Sequence, residues 1–128
     1  MKITDDYNKY VSFKKRLVVW VVVVTHCFQP IAVMADVIAD PSAVSHNQPI
    51  IDTTQNGTPL VYITTPSEGG VSRNLYSEFS TNAQGVLLNN NNQLSPVSSS
   101  QGQIIQQNPN LMGSQAAQVI LNEVTSTS

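Results

Sequence analysis

Basic side chains almost vanish from this chain after residue 16: of six lysines and arginines, only Arg73 lies beyond Arg16. A protein that grips a phosphate backbone needs several such charges on one face, so nucleic acid is excluded as a partner. The single cysteine, Cys27, has nothing to pair with, which excludes a disulfide scaffold. Charged residues make up 11% of the 128 positions, against roughly a quarter in an ordinary soluble protein. The longest apolar run is the eight residues LVVWVVVV, Leu17 to Val24. A membrane-spanning helix needs about 20. The length allows one small domain.

That short apolar run follows a polar leader carrying Lys2, Lys9, Lys14, Lys15 and Arg16, and precedes THCFQP and then Ile31 to Ala35. A basic leader, a short apolar stretch and small residues before a polar start are the signature of a secretory signal peptide. Residues 1–35 are read as that peptide. Cleavage after Ala35 puts Val33 and Ala35 at the two positions where the peptidase takes small side chains, and makes Asp36 the first mature residue. Pro30 ends any helix just upstream. A lipoprotein signal centred on Cys27 is disfavoured by the large, polar His26 before it. The general secretory machinery and signal peptidase follow as partners, with export across the inner membrane.

Removing 35 of the 128 residues leaves 93, with one basic residue against six acids and a net charge of −5. The mature chain holds eleven Asn, ten Gln and thirteen Ser, but no cysteine. Residues 36–49, with Pro41 and Pro49 among small polar side chains, read as a flexible lead-in. Asn56-Gly57 lies between Ile50-Ile51 and the run Leu60 to Thr65, a strong hairpin signal because both turn residues tolerate positive φ. Residues 71–79 are ambiguous: Val71, Leu75 and Phe79 have helical spacing, while Asn74 and Tyr76 fit an extended alternation. Short apolar runs recur at Val86-Leu87-Leu88, Ile104-Ile105 and Val119 to Leu121, with Asn-, Ser- and Gly-rich turns between them. Very short strands joined by neutral polar turns suit a stacked β architecture, in which Asn side chains are expected to form ladders from coil to coil. The rival reading of this composition is an Asn/Gln-rich disordered segment. The apolar runs begin at unequal intervals, so no fixed period supports a solenoid on its own.

Catalysis needs a group that moves a proton, or a metal in its place. The mature chain has one histidine, His46, in the Pro-flanked lead-in, and no glycine-flanked serine elbow to set beside it and Asp40 or Asp52. One histidine and no cysteine exclude the usual zinc sites. Asp36 and Asp40 are read as inert residues of a mobile terminus. Gly69-Gly70 lacks the residues of a phosphate cradle. Asn56-Gly57-Thr58 matches a glycosylation acceptor, but the hairpin turn already accounts for it. The reading is a non-enzymatic protein with no cofactor and no metal.

Five blocks in order carry a resemblance. They are Asn56-Gly57-x-Pro59-x-Val61-x-Ile63-x-x-Pro66, then Gly70-Val71-Ser72-x-Asn74-x-Tyr76-x-x-Phe79, then Gly85-Val86-Leu87-Leu88-Asn89-Asn90, then Asn108-Pro109-Asn110-Leu111, and finally Ala117-x-Val119-Ile120-Leu121-Asn122-Glu123-Val124. Together they resemble the amino-terminal secretion domain of two-partner secretion exoproteins, which include filamentous haemagglutinins, haemolysins and contact-dependent inhibition toxins. The resemblance implies a right-handed parallel β-helix with amino-terminal cap strands over 50–128. It also implies recognition in the periplasm by the periplasmic domains of an outer-membrane barrel transporter, then secretion or surface display in a Gram-negative bacterium.

Physical chemistry supports parts of this. Pro109 fixes φ while Asn108 and Asn110 can bond the backbone of a tight turn. Gly70 and Gly85 can take positive φ. Two departures stand out: Arg73 replaces a frequent histidine of the family, and the family's second turn motif, Asn-Pro-Asn-Gly, does not occur before Ser128. The expectation is therefore a truncated secretion domain, two to four coils long at roughly 20 to 45 residues per repeat. A self-sufficient short surface adhesin or matrix subunit, built on Asn/Gln-rich strands with unpaired edges, is the alternative.

Overall fold

The computed structural model describes residues 34–125. The signal-peptide reading, with Val33, falls almost wholly outside the described residues. Eight strands and two 3-10 turns make up the described chain, with no α-helix among these residues.

The first stacked level is built from β3 (Pro59–Tyr62) and the long β4 (Val71–Ser80). The second is built from β5 (Leu87–Asn89) and β8 (Val119–Val124). Each strand of the second level lies parallel to its counterpart in the first, Leu60 opposite Leu87 and Val71 opposite Val119. Parallel, in-register stacking of successive levels is the β-helix arrangement. The spacing shows why no period is visible: one rung recurs after 27 residues and the other after 48. The longer return includes a side hairpin, β6 (Val97–Ser98) with β7 (Ile104–Ile105). Two levels stand where two to four coils were expected.

Two strands cover the outer edge of the first level. β1 (Asp36–Ala39) runs antiparallel to β4, and β2 (Ile50–Thr53) runs antiparallel to β3. The Asn56-Gly57 hairpin joins β2 to β3 with Gly57 at φ 84°, as its sequence predicts. The flexible lead-in does not survive: residues 36–39 are a paired strand, and 45–47 form a 3-10 turn. Asp40 is the physical reason. Its backbone N–H donates to Leu75 O at 2.9 Å, and its carboxylate accepts from the Ser42 N–H and hydroxyl at 2.8 and 2.6 Å. Thr125 Oγ1 donates to the other carboxylate oxygen. Far from inert, Asp40 ties the first strand to the end of the last. These acceptor bonds, that from the Ser42 hydroxyl first, hold its carboxyl below the usual carboxylate range.

The core lies on both faces of β3, because successive residues point to opposite sides of a strand. Val61 and Ile63 face inward with Val37, Tyr76 and Leu111. Leu60 faces outward with Leu87 and is covered by Ile105 of the side hairpin. β4 explains its own ambiguity. Ser72, Asn74 and Tyr76, all fully buried, form its inward row, so two of three core-facing positions are polar.

Candidate functional site

The Asn108-Pro109-Asn110-Leu111 turn sits where the two levels meet. Pro109 to Leu111 form a 3-10 turn, and Pro109 occupies its first turn, where a missing N–H costs nothing. Asn108 caps it: its side-chain oxygen accepts from the Asn110 N–H at 2.9 Å. The same amide donates through Nδ2 to Ile63 O just beyond β3 and to Asn89 O in β5, both at 2.9 Å. Its backbone N–H donates to Asn91 O at 2.8 Å. One fully buried side chain thus joins the first level, the second level and its own turn.

Neighbouring residues extend this junction. Asn110 Nδ2 donates to Ile63 O at 3.0 Å, and Asn110 O accepts from Thr65 Oγ1 at 2.6 Å. Leu111, fully buried, anchors the turn in the inner core. Asn89 accepts from the Asn91 N–H and donates to Gln106 O. Asn90 does the work of a strand rung with its side chain, accepting from Ala117 N at 2.7 Å and donating to Ala117 O at 2.9 Å. Asn92 donates to Ser114 O. The Asn side chains therefore bond main chain on adjacent segments. The expected coil-to-coil Asn ladder is replaced, because a carbonyl displaced from a regular strand needs a donor more than another amide does.

A second cluster turns the corner from β3 into β4. Asn74 Oδ1 accepts from the Thr64 N–H at 2.9 Å, and Ser72 Oγ donates to Thr64 O at 2.7 Å. Next along the row, Tyr76 OH donates to Asn122 Oδ1 at 2.9 Å, and its ring meets Phe79 edge-on with centroids 4.8 Å apart. Burial pushes the Tyr76 phenol far above its ordinary value, so it remains a donor throughout the physiological range. Gly70 has φ 77° and its carbonyl accepts from Gln118 and Val119, starting the β4–β8 ladder. A Cβ there would lie 3.0 Å from Gln118 Cγ. Gly85, at φ 74°, turns the chain towards β5. Glu123 Oε2 accepts from Arg73 at 2.7 Å on the surface.

The structure thus brings together Ser72 with Asn74, Tyr76 with Phe79 and Asn122, and Asn89 with Asn108 and Asn110. Pro59 opens β3, while Asp36 opens β1 beside Ala35. Asn56 and Gly57 stand apart, their side-chain and turn bonds confined to Thr54 and Thr58. Thr64 and Asp40 were missed by sequence reasoning. Asp40-x-Ser42 carried a usable signal, since an Asp followed two residues on by an N–H partner is a local turn pattern. Among the described residues, no three His, Cys, Asp or Glu side chains cluster.

Stacked parallel levels, antiparallel cap strands and an Asn-rich turn between levels define a β-helix-like module. The family model of the TPS secretion domain matches residues 35–128, and the chain belongs to that family. The match starts at β1, fifteen residues before the expected boundary at 50. The chain is 43% identical over 96 residues to a protein named Toxin CdiA from Yersinia pestis, covering 75% of this chain and 3% of that protein. It is 34% identical over 117 residues to a tRNA nuclease CdiA from Yersinia mollaretii, covering 91% and 4%. The crystal structure of the filamentous hemagglutinin secretion domain matches with a TM-score of 0.56 and 33% identity, over 72% of this chain and 28% of that one. The chain therefore spans only a few per cent of the length of the curated relatives it matches.

Proposed function

We propose that this chain directs the export of a large two-partner-secreted exoprotein and performs no catalysis itself. On this reading residues 1–35 carry it across the inner membrane by the general secretory route, and signal peptidase cuts between Ala35 and Asp36. In the periplasm the unfolded chain is bound by the periplasmic domains of a dedicated outer-membrane barrel transporter. It then folds outside a Gram-negative cell, secreted or held at the surface. Whether the exoprotein is an adhesin or a growth-inhibition toxin is decided by regions outside these residues.

The observation that carries the reading is the buried amide of Asn108. Its partners Ile63 and Asn89 lie 45 and 19 residues earlier in the chain, so its bonds complete only when both levels are present. Such a junction exists only in the folded chain, which suits a domain that crosses a pore unfolded and folds outside. The 44 residues between Glu78 and Glu123 contain no charged side chain, which removes electrostatic attachment along the path. The test is export. The chain is co-expressed with an outer-membrane transporter of the two-partner secretion type, and the medium is assayed. Wild type is expected there, with Asn108→Ala and Asn110→Ala reduced several-fold. Equal export of all three removes the role given to the turn.

A further inference from the structure

The hairpin tip between β2 and β3 has no part in the junction described above, yet it carries a reactive sequence. Of the twelve asparagines in the chain, Asn56 alone precedes a glycine. Both Asn56 and Gly57 are exposed, and nothing lies within 4 Å of the space a Gly57 side chain would fill. An asparagine followed by glycine is open to a known reaction, because no side chain blocks the approach of the next backbone nitrogen.

We propose that Asn56-Gly57 is a deamidation site gated by folding. The deprotonated Gly57 nitrogen attacks Asn56 Cγ, a C–N bond forms, and the side-chain nitrogen leaves as ammonia. Water then opens the resulting succinimide at either carbonyl, giving aspartate or isoaspartate. No oxidant or metal is needed. The folded turn opposes the first step at both atoms. The Gly57 N–H donates to Thr54 O at 2.9 Å, which holds its proton and directs the nitrogen away from attack. Asn56 Oδ1 accepts from Thr54 Oγ1 at 2.5 Å and from the Thr58 N–H at 3.4 Å, which fixes the side chain. All of these partners belong to the closed hairpin and are lost in an unfolded chain.

The product matters because of where it falls. Isoaspartate adds a methylene to the main chain at a turn that sets the β2–β3 register, and β2 covers the outer edge of the first level. Either product also adds a negative charge four residues from Asp52. A chain that stays unfolded too long would therefore lose its cap. This consequence for export rests on the function proposed above; the chemistry does not.

The experiment follows the full chain at mildly alkaline pH by peptide mapping and mass spectrometry, in buffer and in concentrated urea. In urea Asn56 is expected to deamidate ahead of every other asparagine, and Gly57→Ala to abolish that lead. In buffer the rate at Asn56 is expected to fall on the order of tenfold, as for other reactions that require local opening. Thr54→Val is expected to raise the rate in buffer and leave the rate in urea unchanged, with far-UV circular dichroism verifying that its strands persist. Slow reaction at Asn56 in urea overturns the site. Equal rates in buffer and urea, in a chain whose circular dichroism shows it folded, overturn the gate. Failure of export with this result intact would reject the secretion reading and not the chemistry.

Discussion

Asn108→Ala is the perturbation whose size the structure fixes best. The substitution removes three side-chain hydrogen bonds, to Asn110 N, Ile63 O and Asn89 O. A net contribution of about 1 kcal/mol each gives a loss of about 3 kcal/mol. That is a large share of the roughly 5–15 kcal/mol that holds a typical domain together. With a urea dependence of about 1 kcal/mol per molar for a small domain, the unfolding midpoint should fall by about 3 M. Far-UV circular dichroism in a urea titration reads it directly. Pro109→Ala is the internal control, since it leaves every one of these bonds in place and should cost under about 1 kcal/mol. Asn110→Ala should fall between them, because Asn110 is only half-buried and shares Ile63 O with Asn108. If Asn108→Ala and Pro109→Ala unfold at the same urea concentration, the amide is not the junction described.

Three further outcomes follow from other parts of the molecule. Gly70→Ala combines left-handed backbone with contact against Gln118 and should cost more than Gly57→Ala, where only the backbone is strained, at about 1–2 kcal/mol; thermal unfolding ranks the two. Asp40 is held below its ordinary value of 3.8, so the stability it contributes is present above that pH and is lost as pH falls through the lower, folded value. Asp40→Ala should flatten this acid limb of the stability profile, and an unchanged limb would remove Asp40 as its source. Glu123→Gln should change stability by under about 1 kcal/mol, and by less still at high salt, because the Arg73 pair is exposed.

Much of the fold was legible where a residue's conformational preference decides the outcome. Asn56-Gly57 announced its hairpin, and Asn-Pro-Asn announced a capped turn, since each acts through its own backbone. Periodicity failed in β4 because the rule assumes an apolar core face. There the core-facing Ser72 and Asn74 are polar and satisfied by Thr64. Composition misled in residues 36–49, where Pro41 and Pro49 among small polar residues suggested a loose chain. Order there comes from the Asp40 carboxylate and from β4, a strand more than thirty residues away in sequence. The side hairpin β6–β7 hid the repeat by lengthening one return and not the other. Of the site, the residue types were readable, but not the pairing of Asn108 with main-chain carbonyls. That pairing depends on which carbonyls the stack leaves without partners.

The central claim is that the chain is bound by the periplasmic domains of an outer-membrane transporter. Its most direct test is a binding titration of the chain, diluted from urea, against those domains of a two-partner secretion transporter. The account predicts saturable binding of the chain to those domains. Binding no stronger than to an unrelated periplasmic domain would contradict it.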